Sequence, residues 1–286
     1  DYTQDMRISK EIMKQLSQAY LKIRNTARYM LGNLDGFDPD KAVAVKDMTD
    51  LDKWAVAAFN ELVKAVRAGY DAYEFHTVYR AIYNFCVVEM SNFYLDIIKD
   101  RLYCGDGAGR SSAQSALYLI LDGMTRMLAP ILAFTSQEIW TAMPHKAGDD
   151  PECVLFNDIP DYDPALALSE AEAARWTKLL EVRDVVLKAL EEAREQGIKK
   201  NQDAEVTLHL PEKAYEAWEA GTILDGFDPA DLATLFIVSK VNVAKRDGEP
   251  AGSDVDATVS VALSQAPKCP RCWNHDEGIG TPGHHA

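Results

Sequence analysis

Ser9-Lys-Glu-Ile-Met-Lys-Gln-Leu-Ser-Gln-Ala-Tyr-Leu-Lys-Ile-Arg-Asn-Thr-Ala-Arg-Tyr-Met-Leu31 carries apolar residues at Ile12, Leu16, Ala19, Ile23, Ala27, Met30 and Leu31. Those three- and four-residue steps mark an amphipathic helix, and Gly32-Asn33 supplies its stop. At 100° per residue, Lys10, Lys14, Arg24 and Arg28 fall on one arc, flanked by Gln18, Lys22 and Asn25. Only Glu11 adds negative charge there, and Tyr29 shares the arc. A face of one sign is unusual, because helical surfaces normally mix charges. Two readings stand. One is contact with a phosphate backbone, in which each neutralised phosphate releases counterions and Tyr29 stacks on an unpaired base. The other is a solvated face.

The same period runs on. A second helix starts at Thr49 and Asp52 and carries Leu51, Trp54, Ala58, Leu62 and Val66 to Gly69. A third, from about Glu74 to Leu102, is apolar on more than one side, and Gly105–Gly109 breaks it. A fourth, Ser111 to Leu128, meets Pro130, which removes a backbone donor, and a capping box of Thr135 and Glu138 is expected to restart it. Residues 146–168 interleave Asp and Glu with Pro144, Pro151, Pro160 and Pro164 nearby, and read as an extended acidic connector. A helix from Glu170 to Gln196, capped by Ser169 and Glu172, follows. The period then shifts to two. Strands are expected at 204–210, at Leu235–Ala244 and at Ala257–Leu263 with Val259, Val261 and Leu263 inward, and a short helix at Glu212–Ala220. The expected architecture is mainly α: a helical bundle at 1–145, the connector at 146–168, a small α+β domain at 169–265 and a tail at 266–286. Leu-Asp-Gly-Phe-Asp-Pro occurs at Leu34–Pro39 and again at Leu224–Pro229, and both copies read as turns that open a helix.

Composition narrows the function classes. Lys plus Arg number 30 against 45 Asp plus Glu, a net charge of −15, so a uniformly basic nucleic-acid-binding surface is excluded and only a local patch can serve. No apolar run approaches the roughly 18–20 residues of a membrane span. Five cysteines, three of them scattered at Cys86, Cys104 and Cys153, argue against a disulfide framework and for a reducing, cytoplasmic setting. The chain opens on Asp1 without a leader and reads as an internal piece of a longer protein.

Few residues suggest chemistry. Cys269-Pro-Arg-Cys272 has the spacing that brings two thiolates to one tetrahedral zinc, with His275, His284 and His285 as further candidates. A redox pair is the rival reading, but a tail is the wrong setting for one. Phosphate-binding glycine loops, nucleophile elbows and His-Glu-x-x-His pairs are absent from the sequence. His76 reads as a core or boundary histidine.

Several stretches resemble the region of bacterial isoleucyl-tRNA synthetases that follows the catalytic domain. They are Asp1–Ser9, Tyr20-Leu-Lys-Ile-Arg-Asn-Thr-Ala-Arg-Tyr-Met-Leu-Gly-Asn33, Tyr83–Tyr103, Met127–Trp140 and Lys268-Cys-Pro-Arg-Cys-Trp-Asn274, in family order over nearly the whole chain. The resemblance implies an anticodon-binding bundle, an α+β domain and the start of a zinc module that together position tRNA-Ile. It implies a cytoplasmic, monomeric class I ligase that uses ATP and magnesium in catalytic and editing domains not contained in this sequence. By resemblance Cys269 and Cys272 form half of a four-cysteine site, and Arg24, Asn25 and Arg28 belong to the tRNA-contacting helix. Ile198–Ala204 departs from the family's pattern before the first strand. The adenylate-forming motifs are missing, so the chain alone is expected to be inactive. The alternatives are the same region of a valyl- or leucyl-tRNA synthetase, or a non-catalytic protein-interaction module.

Overall fold

The computed structural model describes residues 5, 7–105, 107–195, 197–221, 228–246, 257–271, 273–279 and 281. The chain divides into two compact units, Asp1–Leu168 and Ser169–Ala286. In the first, α1 (Lys10–Gly32) begins on Ser9, whose Oγ accepts the Ile12 amide at 3.2 Å. Then come α2 (Asp50–Asp71) and α3 (Phe75–Phe85), which runs into a π-helical segment at Cys86–Tyr94. Two short helices follow, α4 (Leu95–Ile97) and α5 (Lys99–Tyr103). The single helix expected over 74–102 is therefore helical throughout but wound wide at its centre. Cys86, Met90 and Tyr94 are all fully buried, and the wider winding keeps that four-residue repeat on one face.

Helices α6 (Gly107–Leu128) and α7 (Ala133–Ala142) complete the bundle, with Pro130 in the break between them. Thr135 lies inside the first turn of α7 rather than capping it, and its Oγ1 bonds the Tyr20 hydroxyl of α1 at 3.1 Å. Helices α2 and α6 approach so closely that a β-carbon on Gly123 would sit 2.5 Å from Phe59 Cζ. The bundle buries one continuous core, including Ile23, Ala27 and Met30 of α1, Trp140 of α7, and the middle of α6. Helix α1 joins that core only from Ile23 onward. Ile12 and Leu16, expected on a packed stripe, are 38% and 51% exposed, because residues 10–18 are solvent-exposed on every side.

The stretch expected as an extended connector is instead held against the bundle. Asn60 of α2, almost fully buried, donates to the Asp163 carbonyl at 2.7 Å and accepts the Asp163 amide at 2.9 Å. Arg67 donates to the carbonyls of Ile159 and Pro160 and pairs with Asp161 at 2.7 Å. Asn60→Ala is expected to cost about 1–3 kcal/mol, since it strands two backbone groups. Faster proteolysis at residues 157–164 is the readout.

In the second unit, α8 (Glu170–Glu195) starts on the expected box, with the Glu172 carboxylate accepting the Ser169 amide at 2.9 Å. A three-stranded sheet has the order β2-β1-β3, from β1 (Ala204–Pro211), β2 (Lys240–Arg246) and β3 (Thr258–Leu263). β1 runs parallel to β2 and antiparallel to β3. Between β1 and β2 lie α9 (Glu212–Glu219) and α10 (Pro229–Phe236). The strand expected from Leu235 thus starts five residues later. Asp228 and Asp231 form a capping box on either side of Pro229, a helix start strong enough to absorb Leu235, and Ile237 at φ +59° ends that helix. Ala204, Val206, Leu208 and Leu210 of β1 are buried as the alternation predicts, whereas Leu263, expected inward, is 53% exposed. In the repeated hexapeptide, Asp38 and Asp228 each accept amides ahead of a helix entered through proline, and residues 222–227 lie outside the described set.

Candidate nucleic-acid interface

Side-chain exposure along α1 separates the basic arc from the apolar one only from about Ala19 onward, since residues 10–18 are exposed all round. Lys10, Lys14, Lys22, Asn25 and Arg28 are exposed and Arg24 is half-buried. Among the described residues, none of the five cations on this helix makes an ion pair, although 45 carboxylates are available in the chain. Other cations behave differently: Arg67, Arg101 and Arg126 are each tied to aspartates. Lys10 and Arg28 stand about 27 Å apart along the axis at 1.5 Å per residue, so the charges form a line rather than a point.

Tyr29 departs from its expected role. It is half-buried against the core, and its hydroxyl donates to the Leu95 carbonyl at 3.4 Å. Burial, followed by the neighbouring Tyr103 hydroxyl, raises its pKa, so it stays a neutral phenol. A ring packed this way forms a wall and not an open stacking platform.

That wall separates two hollows. One, of about 400 Å³, is lined by Asn25, Arg28, Tyr29, Gly32, Asn33 and Tyr103. The other, of about 260 Å³, has Lys22, Thr26 and Tyr29 on α1 facing Ser91, Asp96 and Lys99 across it. The π-helical segment supplies Ser91, whose hydroxyl bonds Thr26 Oγ1 at 3.1 Å. Lys99 is paired with Asp96, so its charge is partly compensated. Tyr103, Lys99 and Ser91 were not among the expected site residues. They lie some seventy residues from α1 in sequence, and no local pattern signals that they face it.

A buried polar cluster ties the start of α2 to the π-helical segment, α5 and α6. Asp52, fully buried at the start of α2, accepts from Thr49 Oγ1 (2.8 Å), Tyr94 OH (2.7 Å) and Ser112 Oγ (2.5 Å). It also accepts both guanidinium arms of Arg101, at 2.9 and 2.7 Å. Arg101 and Tyr103 both lie on the short helix α5, two residues apart, so this cluster fixes the segment that walls the larger hollow.

Among the described residues no three His, Cys, Asp or Glu side chains gather as a metal site. Burial pushes the Cys86 thiol up to about 12, which leaves it inert. His76 is exposed, neither the core nor the boundary histidine expected. Cys269 is 2% exposed in a tight turn closed by its amide on the Asn274 carbonyl (2.8 Å) and by the Trp273 amide on its own carbonyl (3.0 Å). Cys272, His284 and His285 lie outside the described residues. Both ring nitrogens of His275 are already engaged, with the Ala266 carbonyl at 2.7 Å and Asp203 at 3.2 Å. The described residues therefore offer one buried thiol to a zinc ion that needs four donors, and do not by themselves fit it.

The family model for the anticodon-binding domain of tRNA ligases matches residues 52–208. Relatives align along the whole chain. An isoleucine–tRNA ligase of Syntrophotalea carbinolica is 44% identical over 293 aligned residues, one of Desulforamulus reducens 42%, and one of Caldanaerobacter subterraneus subsp. tengcongensis 41%. Each alignment covers 100% of this chain but only 30–31% of the relative, so the chain spans under a third of their length.

Proposed function

This chain belongs to the family of anticodon-binding domains of tRNA ligases, and from that membership we propose that it is the tRNA-gripping portion of an isoleucine–tRNA ligase. Its work is to hold tRNA-Ile so that the acceptor end reaches catalytic and editing sites on other domains of the same protein, a contribution of position rather than of bond chemistry. ATP, magnesium and isoleucine belong to those domains in this reading, which also takes the protein to be cytoplasmic and monomeric. Cys269 and Cys272 would supply two thiolates to a zinc completed by further donors, and the metal's contribution would be to brace the end of the second unit.

The observation that carries the reading is the line of five cations on α1 that have no carboxylate partner among the described residues, in a chain of net charge −15. A row of desolvatable positive charge has one obvious complement, a polyanion whose phosphates recur along a line. If most of the five engage phosphates, the plot of log affinity for tRNA against log salt has a slope of about −3 to −4.5. Raising salt from 50 to 200 mM then weakens binding by roughly sixtyfold to five-hundredfold. A slope near zero would refute phosphate contact. Charging assays with isoleucine, valine and leucine on the full-length ligase test the amino-acid assignment separately.

A further inference from the structure

Tyr103 is 60% exposed and forms one side of the larger hollow, while the helical turn at Gly32 forms another. A β-carbon built on Gly32 meets nothing within 4 Å, so the space over this turn is open. Around it stand polar groups without partners among the described residues: the Arg28 guanidinium, the Asn25 amide and Asn33 Oδ1. Asn33 is itself held in place, since its Nδ2 donates to the Tyr29 carbonyl and its own carbonyl accepts from Gln114, both at 2.8 Å. An accessible aromatic face, amide donors and acceptors, and one cation at the rim together match the needs of a single unpaired nucleotide. A planar base needs a ring to stack on and partners for its edge, and its phosphate needs the cation. A straight duplex cannot use such a hollow, because its bases are already stacked.

We propose that the hollow over Gly32 receives one unstacked base of a single-stranded RNA segment, stacked on Tyr103, with its edge met by Asn25 and Asn33 and its phosphate by Arg28. This rests on the reading of the chain as a tRNA-binding portion and adds the particular nucleotide pocket. Lys10, Lys14 and Lys22 supply sequence-independent grip, and the hollow distinguishes looped RNA from paired RNA.

The test compares three probes on the full chain: an RNA stem-loop, the same stem-loop with abasic loop nucleotides, and a blunt RNA duplex of equal charge. The wild-type chain is expected to favour the intact loop over the abasic one by about fivefold to a hundredfold, the range of one base–aromatic stack. Gly32→Leu fills the hollow on a backbone that any residue tolerates, and Tyr103→Ala removes the stacking face. Each is expected to erase the preference while duplex affinity and thermal unfolding stay unchanged, and Tyr103→Phe is expected to retain it. Binding that persists with the preference intact in both Gly32→Leu and Tyr103→Ala overturns the pocket alone. Failure of the wild-type chain to bind any of the three RNAs overturns the underlying tRNA reading and the pocket with it.

Discussion

Reversing Lys14, Arg24 and Arg28 to glutamate together is expected to abolish tRNA binding at physiological salt. Losing three phosphate contacts forfeits the release of about three counterions, which at 0.1 M salt weakens binding roughly 500-fold. Each new carboxylate then repels the backbone it replaced a contact with, across distances inside the ~8 Å Debye length. The expected readout is loss of any shift in tRNA titration, with the salt dependence of what remains flattened. The fold should survive. None of the three makes an ion pair among the described residues, and surface changes of this kind usually move stability by about 0.5 kcal/mol or less each. If the triple variant binds tRNA within a few-fold of wild type, α1 is a solvated face after all. The cations of α1 lie outside residues 52–208, where the family model matches, so the experiment tests a site that family membership alone does not supply.

Asp52→Ala should have the largest effect on stability, about 3–5 kcal/mol, because it breaks a buried pair by removing one partner only. Asp52 is fully buried and the Arg101 side chain only a quarter exposed, so the guanidinium cannot recover its hydration by a small movement. The Tyr94 hydroxyl, wholly buried, would lose its acceptor too. Burial is the main reason that the Tyr94 phenol sits well above its usual pKa, and it remains when Asp52 is removed, so the phenol stays neutral and does not replace the lost carboxylate. Denaturant unfolding measures the loss. A cost below about 1 kcal/mol would mean that the cluster is wet or easily rearranged. A companion effect is expected at the hollow: with Arg101 unmoored, α5 frays, and Tyr103 no longer holds its place against α1. Preference for looped RNA should therefore fall further than duplex binding does, at temperatures where the variant is still folded.

The elements with strong local chemistry were legible in the sequence. Helix α1 runs as its apolar period and Ser9 predict, α8 starts on its Ser169–Glu172 box, and β1 alternates buried and half-buried residues as its period of two requires. The misses share a cause. Leu235 was drawn into a helix because the Asp228–Asp231 box with Pro229 outweighs β-propensity over so short a run. Thr135 looked like a cap but found a partner in Tyr20, more than a hundred residues earlier. The proline- and aspartate-rich stretch looked like a free connector, yet Asn60 and Arg67 on α2 satisfy its backbone and pin it to the bundle.

For the candidate interface the division is sharper. The cationic arc was visible from the 3.6-residue period alone, since a helix places Lys10, Lys14, Arg24 and Arg28 together whatever surrounds it. Whether those charges would be spent on aspartates and glutamates was a question for long-range packing, as was the fate of Tyr29.

Local sequence thus determined which residues form helices, where they are capped, and which face of α1 is basic, because those properties depend on neighbours within about four positions. Tertiary structure alone decided that Tyr29 is a wall, that Tyr103 and Lys99 stand across from it, and that Asp52 is a buried anchor rather than only a helix start. Such contacts join residues 40–75 positions apart, and they form only when separate apolar faces are buried against one another.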